Sequence, residues 1–410
     1  MNQEMDIMGK LKEMQDAMGT NTEIKLFKGD HWASIKFSND IMMDALAKHL
    51  LGLMQYGMTD LGEVLEVIGN VKPGDEDGWN KSWSKLAKGL EKRAEIAEKN
   101  GKLVSASSEY LRASTYWRAS LMYFSCPKDS RMKENAQASM NCYEKYLKLS
   151  GYPGTYVEIP YEDSYLPGHF YRSPVADEKA PLLIITPGRD TWAQDTRWVY
   201  DGALKRGIHC LIYDGPGQGF ALRLQNMPFR HDWENVITPI IDFALEIPGI
   251  DKERIALMGM SFGGFLVPRA VAFDKRVKLC IVDPGNLSWG DNIADRLQMI
   301  SSLPADKRPA SMDRMLRDYA WKHGVSVEDI VNELKIYDNT DIVDKITCKM
   351  LVLDGTAEMT PGEAEKFYNA LKCPKHYMLF DESTTAQAHT QMGGYAAATE
   401  YIFDWIEEEL

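Results

Sequence analysis

The feature that most constrains the fold is a series of short, continuously apolar segments in the C-terminal part of the chain. They are "LLIITPG", "GIHCLIYDGPGQG", "RIALMGMSFGG", "VKLCIVDPG", "KMLVLDGTAE" and "HYMLFDES", and amphipathic helical segments separate them. Such segments are typical of strands buried on both faces of a parallel sheet. Several end in Gly, Pro or Asp, which places loops at the carboxyl ends of the strands, where α/β proteins bind ligands.

Residues 1–150 have a different pattern, because apolar residues recur there every three or four positions and strand-like alternation is nearly absent. Gly101 separates two of the helices that this spacing predicts. The pattern changes at "SGYPGTY", residues 150–156. We therefore expect an all-helical N-terminal domain over residues 1–150 and an α/β domain over residues 151–410.

Two sets of apolar side chains in the helical part have more than one interpretation. Met8, Leu11, Met14 and Met18 lie at helical spacing, which favours a core or subunit contact over a substrate lid. Five aromatic residues fit either the inner face of a cap over a pocket or ordinary buried packing, namely Trp79, Trp83, Tyr110, Tyr116 and Trp117.

The acidic balance of the chain argues against polyanionic partners. The formal net charge is -13 and no basic stripe with aromatic residues occurs, so we expect binding neither to nucleic acids nor to anionic membranes. No segment approaches the roughly 18 apolar residues of a membrane helix, and no signal-peptide pattern occurs. The six cysteines lie far apart without a CxxC pair. These features predict a cytoplasmic protein with free thiols and no metal site.

A serine between glycines follows the apolar segment "RIALM". The spacing is Gly259-x-Ser261-x-Gly263, and the helical segment "GFLVPRAVAF" comes next. A nucleophile on a sharp strand-to-helix turn needs small neighbours on both sides, because the backbone folds tightly there. This context favours Ser261 as a nucleophile over the alternative, a glycine-rich helix start built for close packing.

A serine hydroxyl needs a base to accept its proton, and in this arrangement an acid and then a histidine follow the serine. Three histidines lie C-terminal to Ser261. His323 is predicted at a helix C-terminus and His376 at the start of a strand. His389 lies in a polar loop between the last strand and the last helix, so it is the predicted base.

The acid is expected after the strand "KMLVLDGTAEMTP". Glu358 is favoured because its longer side chain reaches over the sheet edge, and Asp354 is held in reserve because it also suits a turn. Asp283, directly after "KLCIV", is a third candidate of lower weight. The acid would hold the imidazole tautomer and stabilise the imidazolium.

An oxyanion hole requires two backbone N–H groups directed at the developing negative charge. Phe262, next to the nucleophile, is expected to supply one of them. The second is expected from the loop after "LLIITPGRD", at Arg189 or Gly188. A simple tight turn is the alternative interpretation of "PGRD".

Four segments in this order, "YDGPGQG", "GMSFGG", "LVLDGTAEMTP" and "AQAHTQMGG", resemble the α/β-hydrolase superfamily. The helix-pair segment "GKLVSASSEYLRASTYWRASLMYF" is similar to the N-terminal helical cap of the branch that contains dihydroxypseudooxynicotine hydrolase and the fermentation–respiration switch protein. The resemblance implies an α/β-hydrolase fold with a mostly parallel sheet and a helical cap. It also implies Ser261 as nucleophile, His389 as base and Glu358 at an acid position that is usually aspartate.

The same resemblance implies cleavage of a carboxylic ester or of a carbon–carbon bond beside a ketone. The oxyanion loop of that branch commonly has two glycines, whereas this chain has Gly188, Arg189 and Asp190 after Pro187. Asp190, Asp291 or Asp295 would then contact the substrate or supply an extra acid or base.

We therefore expect a serine hydrolase that acts on a small, largely apolar carbonyl compound in a pocket between the cap and the catalytic domain. No metal or organic cofactor is required, and the resemblance alone implies a homodimer. A serine peptidase or amidase is one alternative. The other is a non-catalytic regulatory or binding protein that retains the fold.

Overall fold

A computed structural model describes residues 31–410, without the side chains of residues 291 and 292. The residues at helical spacing between Met8 and Met18 therefore lie outside the described residues. No helix in the described range is both long enough and apolar enough to cross a membrane.

Among residues 31–410, five α-helices precede the first strand. Aspartate side chains begin three of them, because Asp40, Asp60 and Asp75 each accept a hydrogen bond from a backbone N–H of the first helical turn. Gly101 and Gly151 end two of them with φ values of 69° and 68°, which glycine adopts without strain. The helices are α1 (Ile41–Gly52), α2 (Leu61–Asn70), α3 (Glu76–Lys99), α4 (Leu103–Met122) and α5 (Arg131–Ser150).

The α/β part is built on an eight-stranded sheet. Its order is β1-β2-β4-β3-β5-β6-β7-β8, and all neighbours from β4 to β8 run parallel, while β2 is antiparallel to both β1 and β4. The predicted mostly parallel sheet is confirmed. The strands are β1 (Gly154–Tyr161), β2 (Ser164–Tyr171), β3 (Ala180–Thr186), β4 (His209–Tyr213), β5 (Ile250–Met260), β6 (Leu279–Asp283), β7 (Lys349–Gly355) and β8 (Lys375–Phe380).

Helices cover both faces of this sheet, which explains why its strands are apolar throughout. Alternate residues of β3 belong to different cores: Leu183 packs with the N-terminal helices, whereas Leu182 packs with helices on the opposite face. The helices between and after the strands are α6 (Arg197–Leu204), α7 (Gly219–Gln225), α8 (Glu234–Leu245), α9 (Phe262–Phe273), α10 (Gly290–Ser301), α11 (Ala310–Lys322), α12 (Ile330–Lys335), α13 (Glu363–Ala370) and α14 (Tyr395–Glu409).

Helices α10, α11 and α12 form a helical insertion between β6 and β7. Leu297, Leu316 and Leu334, one from each helix, are fully buried in a small apolar core of their own. The sequence analysis predicts a helical cap only for residues 1–150, so this helical insertion is an additional element.

The aromatic residues of α3 and α4 pack against one another. The rings of Trp83 and Tyr116 stack with their centroids 5.3 Å apart, and Trp79 lies 5.6 Å from Trp83. The indole N–H of Trp79 donates a hydrogen bond to the Ala119 carbonyl at 2.7 Å. Of the two interpretations of these residues, the structure shows buried packing.

A buried ion pair joins the helical part to the sheet. Arg118 of α4 donates to Asp195, in the segment after β3, at 2.9 Å, and both side chains are fully buried. Further hydrogen bonds connect Arg118 to Ser114 at 2.7 Å and the Trp192 N–H to Asp195 at 3.1 Å. Removing one partner would leave a buried charge without compensation.

We expect Arg118→Met to lower the free energy of unfolding by about 3–5 kcal/mol, because Asp195 would remain buried and unpaired. Urea unfolding followed by tryptophan fluorescence measures this change. The matched control is Arg206→Met, which removes a more exposed pair with Glu407 and should cost less than about 1 kcal/mol. Equal losses in the two variants would contradict the assignment of Arg118 as a structural link.

Candidate active site

Ser261 lies on the sharp turn between β5 and α9. Its φ of 53° falls in the left-handed region, which is rare for a residue with a side chain. A Cβ at Gly259 would collide with the carbonyl oxygen of Gly263, and a Cβ at Gly263 would lie 2.6 Å from the Thr186 carbonyl oxygen. The two glycines therefore allow the backbone packing that exposes the serine at the sheet edge.

The structure brings Ser261, His389 and Glu358 into a hydrogen-bonded row. The imidazole Nε2 of His389 lies 2.9 Å from Ser261 Oγ, and its Nδ1 lies 2.6 Å from Glu358 Oε1. Glu358 follows β7 and His389 follows β8, so neighbouring parallel strands deliver both side chains to one edge of the sheet. This is the geometry of a nucleophile, a base and an acid that orients the base.

The other two C-terminal histidines lie elsewhere. His323 follows α11 as its C-terminal cap, and its Nδ1 is 3.2 Å from the Tyr337 hydroxyl. His376 in β8 stacks on Trp405 with the ring centroids 6.0 Å apart. Both positions agree with the sequence predictions of a helix end and a strand edge.

Asp354, the reserve acid, contacts groups other than His389. Its Oδ2 accepts a hydrogen bond from the Tyr377 hydroxyl at 2.6 Å, and its Oδ1 accepts one from the Gly355 N–H at 2.7 Å. The structure therefore places Glu358, and not Asp354, against the imidazole.

Asp283, the third acid candidate, is fully buried at the end of β6. Its Oδ1 accepts from Gln391 at 3.0 Å, and Oδ2 has no hydrogen-bond partner among the described residues. Burial raises the pKa of Asp283 to about 7, although Gln391 and His389 act in the opposite direction. Its backbone carbonyl accepts a hydrogen bond from the Ser261 N–H at 2.5 Å, which supports the turn itself.

Electrostatics in this row favour a charged imidazole next to a carboxylate. Burial would lower the pKa of His389, but the charge and hydrogen bond of Glu358, together with the charge of Asp283, outweigh burial and raise it. Burial would also raise the pKa of Glu358, yet His389 and the backbone N–H of Met359 lower it. The lowered pKa favours an ionised Glu358 beside the imidazole.

The predicted oxyanion loop after β3 lies directly against the serine. A Cβ at Gly188 would come within 2.7 Å of the Ser261 Cβ, so only a glycine lets the loop approach this closely. Within the described part of the chain, the backbone N–H groups of Phe262, Gly188 and Arg189 make no hydrogen bond. They remain the candidate donors to a developing oxyanion.

The side chains of the loop are held by the helical insertion. Arg189 donates to Asp318 of α11 at 2.6 Å, and its guanidinium lies 3.4 Å from the centre of the Tyr319 ring. Asp190 accepts from Lys322 at 2.6 Å. These ion pairs, in which only Asp190 is partly exposed, connect the loop with the candidate N–H donors to α11.

A cavity of about 840 Å³ opens above Ser261 and His389. Its lining is largely apolar, and its walls come from α1, α10 and α11. The main wall residues are Ile41, Met42, Leu46, Ile293, Ile300, Met312 and Met315.

Of the accessory candidates, Asp190 lines this cavity, whereas Asp295 of α10 is exposed and is absent from its lining. The side chain of Asp291 lies outside the description. The sequence analysis missed His49 of α1, whose Nδ1 is 2.8 Å from the Tyr395 hydroxyl, and Arg314 of α11. No sequence signal places Arg314 in the cavity, because helical spacing does not show which surface a helix covers.

Comparisons with known proteins extend these observations. A family model described as "Esterase FrsA-like" matches residues 64–300. Hydrolase LUC6 of a Fusarium species is 30% identical over 397 residues, which span 88% of this chain and 94% of that protein. The 20-hydroxy-prefusarin hydrolase FUS2 of Gibberella moniliformis is 36% identical over 252 residues, which span 58% of this chain and 59% of that protein.

Solved structures show the same fold at low sequence identity. The 2,6-dihydroxy-pseudo-oxynicotine hydrolase superimposes with a TM-score of 0.71 at 18% identity, over 88% of this chain and 95% of that chain. AbyA5 superimposes with a TM-score of 0.64 at 12% identity, over 88% and 94%.

We expect Glu358→Gln to lower kcat for a p-nitrophenyl ester by about 10⁴-fold, because an amide favours the wrong imidazole tautomer. Asp354→Asn is the matched control and should cost less than about tenfold, since Asp354 bonds to Tyr377. Steady-state measurement of kcat for the two variants shows which carboxylate acts on His389. A larger loss in the Asp354 variant would assign the acid to that residue instead.

The acid limb of kcat/KM should have an apparent pKa above 6.5, because Glu358 raises the pKa of His389 and the imidazole must be neutral to accept a proton. Activity is therefore lost as the pH falls through that raised value. The apparent pKa of this limb reflects the coupled titration of His389, Glu358 and Asp283, and not of His389 alone. A pH profile of the wild type measures it, and a limb at or below 6.5 would contradict the prediction.

Proposed function

The chain belongs to the FrsA-like esterase family of α/β-hydrolases, and from this premise we propose that it is a serine esterase that uses Ser261, His389 and Glu358. That the chain is a hydrolase follows from its family and from relatives that are themselves hydrolases. The single observation that carries the finer proposal is the row of contacts of 2.9 Å and 2.6 Å that runs from Ser261 through His389 to Glu358.

In the first half-reaction, Ser261 Oγ attacks the ester carbonyl while His389 Nε2 accepts its proton. The oxyanion forms beside the free N–H groups of Phe262 and Arg189 or Gly188. His389 then gives the proton to the leaving alkoxide, so the alcohol departs and an acyl-enzyme remains.

In the second half-reaction, a water molecule gives a proton to His389 and attacks the acyl carbonyl. The tetrahedral intermediate collapses, the acid leaves, and Ser261 recovers the proton from His389. Glu358 stays ionised throughout and stabilises each imidazolium. Every proton passes through His389, so neither step requires a metal ion or an organic cofactor.

The substrate is a small organic ester. A cavity of about 840 Å³ with a largely apolar lining fits a compound of drug-like size, and its polar lining includes Arg314 and Asp318 of α11. We propose an apolar acyl or alcohol part that packs against α1, α10 and α11.

Fluorophosphonate labelling tests the nucleophile. The wild-type protein should be labelled at Ser261, as located by mass spectrometry, and Ser261→Ala should remain unlabelled. His389→Gln should slow labelling by about 10²-fold or more, because the general base is lost. The control variant His376→Gln removes a histidine that stacks on Trp405 and should be labelled at the wild-type rate. Label at another serine would overturn the proposal.

Parallel substrates separate ester hydrolysis from the alternatives. A p-nitrophenyl ester, the matching p-nitroanilide and a β-diketone report ester, amide and carbon–carbon cleavage. We expect turnover of the ester alone. Cleavage of only the anilide would indicate a peptidase or amidase, and cleavage of only the β-diketone a carbon–carbon hydrolase. A folded protein that is neither labelled nor active would favour a binding role.

A further inference from the structure

Arg314 of α11 is a buried cation on the wall of the cavity that also contains Ser261 and His389. Its side chain is only 5% exposed, and its guanidinium lies 4.0 Å from the centre of the Tyr123 ring. Its Nε has no hydrogen-bond acceptor, and no carboxylate of the described residues lies within 4.0 Å of its nitrogens. A buried guanidinium normally has an anionic partner, because the loss of hydration is costly.

The nearest carboxylates are already occupied by other cations. Asp318 accepts from Arg189 at 2.6 Å and lies 3.3 Å from Lys322. Asp190 accepts from Lys322 at 2.6 Å and from Arg189 at 3.1 Å. Arg189 and Lys322 thus pair with these two carboxylates, and neither carboxylate forms an ion pair with Arg314.

The carboxylate of Asp40 also forms hydrogen bonds with groups other than Arg314. Its Oδ1 accepts from the backbone N–H groups of Met42 and Met43, and its Oδ2 accepts from the Tyr123 hydroxyl at 2.5 Å. Burial would lower the pKa of Arg314, but the nearby charge of Asp318 and the contact with Tyr123 raise it, so Arg314 remains charged.

The position of Arg314 relative to the serine is set by α11. Arg314 and Asp318 are four residues apart on one helical face, which corresponds to about 6 Å along the axis. Asp318 binds Arg189, whose backbone lies in the loop that faces Ser261. Arg314 therefore lies one turn along α11 from the residue that binds the side chain of Arg189.

We propose that the cavity binds an ester whose acyl part carries a carboxylate, and that Arg314 binds this carboxylate. The inference rests on the proposed esterase function of Ser261 and adds the substrate class. A guanidinium presents two parallel N–H groups to a carboxylate, so the pair is specific in geometry as well as in charge. The apolar residues Met312 and Met315 beside it would contact the methylene chain.

The test uses p-nitrophenyl monoesters of adipic, suberic and sebacic acid and the p-nitrophenyl esters of the monocarboxylic acids of equal length. For each length, the ratio of kcat/KM for the acidic ester to that for the neutral ester is measured. The wild type should favour the acidic ester by about tenfold or more at one length, since a hydrogen bond to a charged group is lost with the neutral ester.

Arg314→Met should lower this ratio by about tenfold or more, mainly through KM of the acidic ester, and Arg314→Lys should retain part of it. The matched control is Arg317→Met on the same helix. Arg317 contacts Glu76 and Ser125 and is not part of the cavity lining, so its removal should leave the ratio unchanged.

Two results would overturn the inference. One is a wild type that prefers the neutral ester at every length. The other is an Arg314→Met variant that loses activity equally on both esters, which would indicate a purely structural role. Fluorophosphonate labelling of every variant separates this failure from that of the proposed function: a labelled enzyme without carboxylate preference refutes only the present inference, whereas an unlabelled, inactive wild type refutes both.

Discussion

The tight turn at Ser261 is the constraint on which the rest of the site depends. The serine has a positive φ, and three backbone segments come together around it without room for a Cβ at Gly188, Gly259 or Gly263. This packing is possible only because parallel strands end at the same edge of the sheet, where β3, β5 and β6 deliver their loops side by side. The hydrogen bonds of the sheet stabilise the strained backbone conformation of Ser261.

A second level of organisation is electrostatic. Gln218 binds the backbone carbonyls of the loop after β3, and the side chains of Arg189 and Asp190 connect that loop to Asp318 and Lys322 of α11. The insertion between β6 and β7 therefore performs two tasks, since it closes one wall of the cavity and fixes the loop next to the serine. The proposed substrate selection and the proposed oxyanion geometry would therefore both depend on a single helix.

Much of the candidate site could be predicted because its residues are encoded locally. Ser261 and Glu358 follow the ends of apolar strands closely, and His389 lies in the loop after the last strand, so strand order places all three at one sheet edge. The choice between Glu358 and Asp354 depends on which carboxylate reaches the imidazole, and this requires coordinates. The walls of the cavity could not be predicted, because helical periodicity shows that a helix such as α11 has an apolar face but not which surface that face covers. Arg314 was missed for the same reason.

The apolar core of the N-terminal helices is continuous with one face of the sheet. Residues such as Leu90, Tyr143, Leu183 and Phe403 belong to the same buried cluster, although they come from opposite ends of the chain. The boundary near residue 150 therefore marks a change in local structure within a shared core. One face of the sheet is covered by the N-terminal helices and would be exposed to solvent without them. We therefore expect the helices and the sheet to unfold together in one cooperative transition.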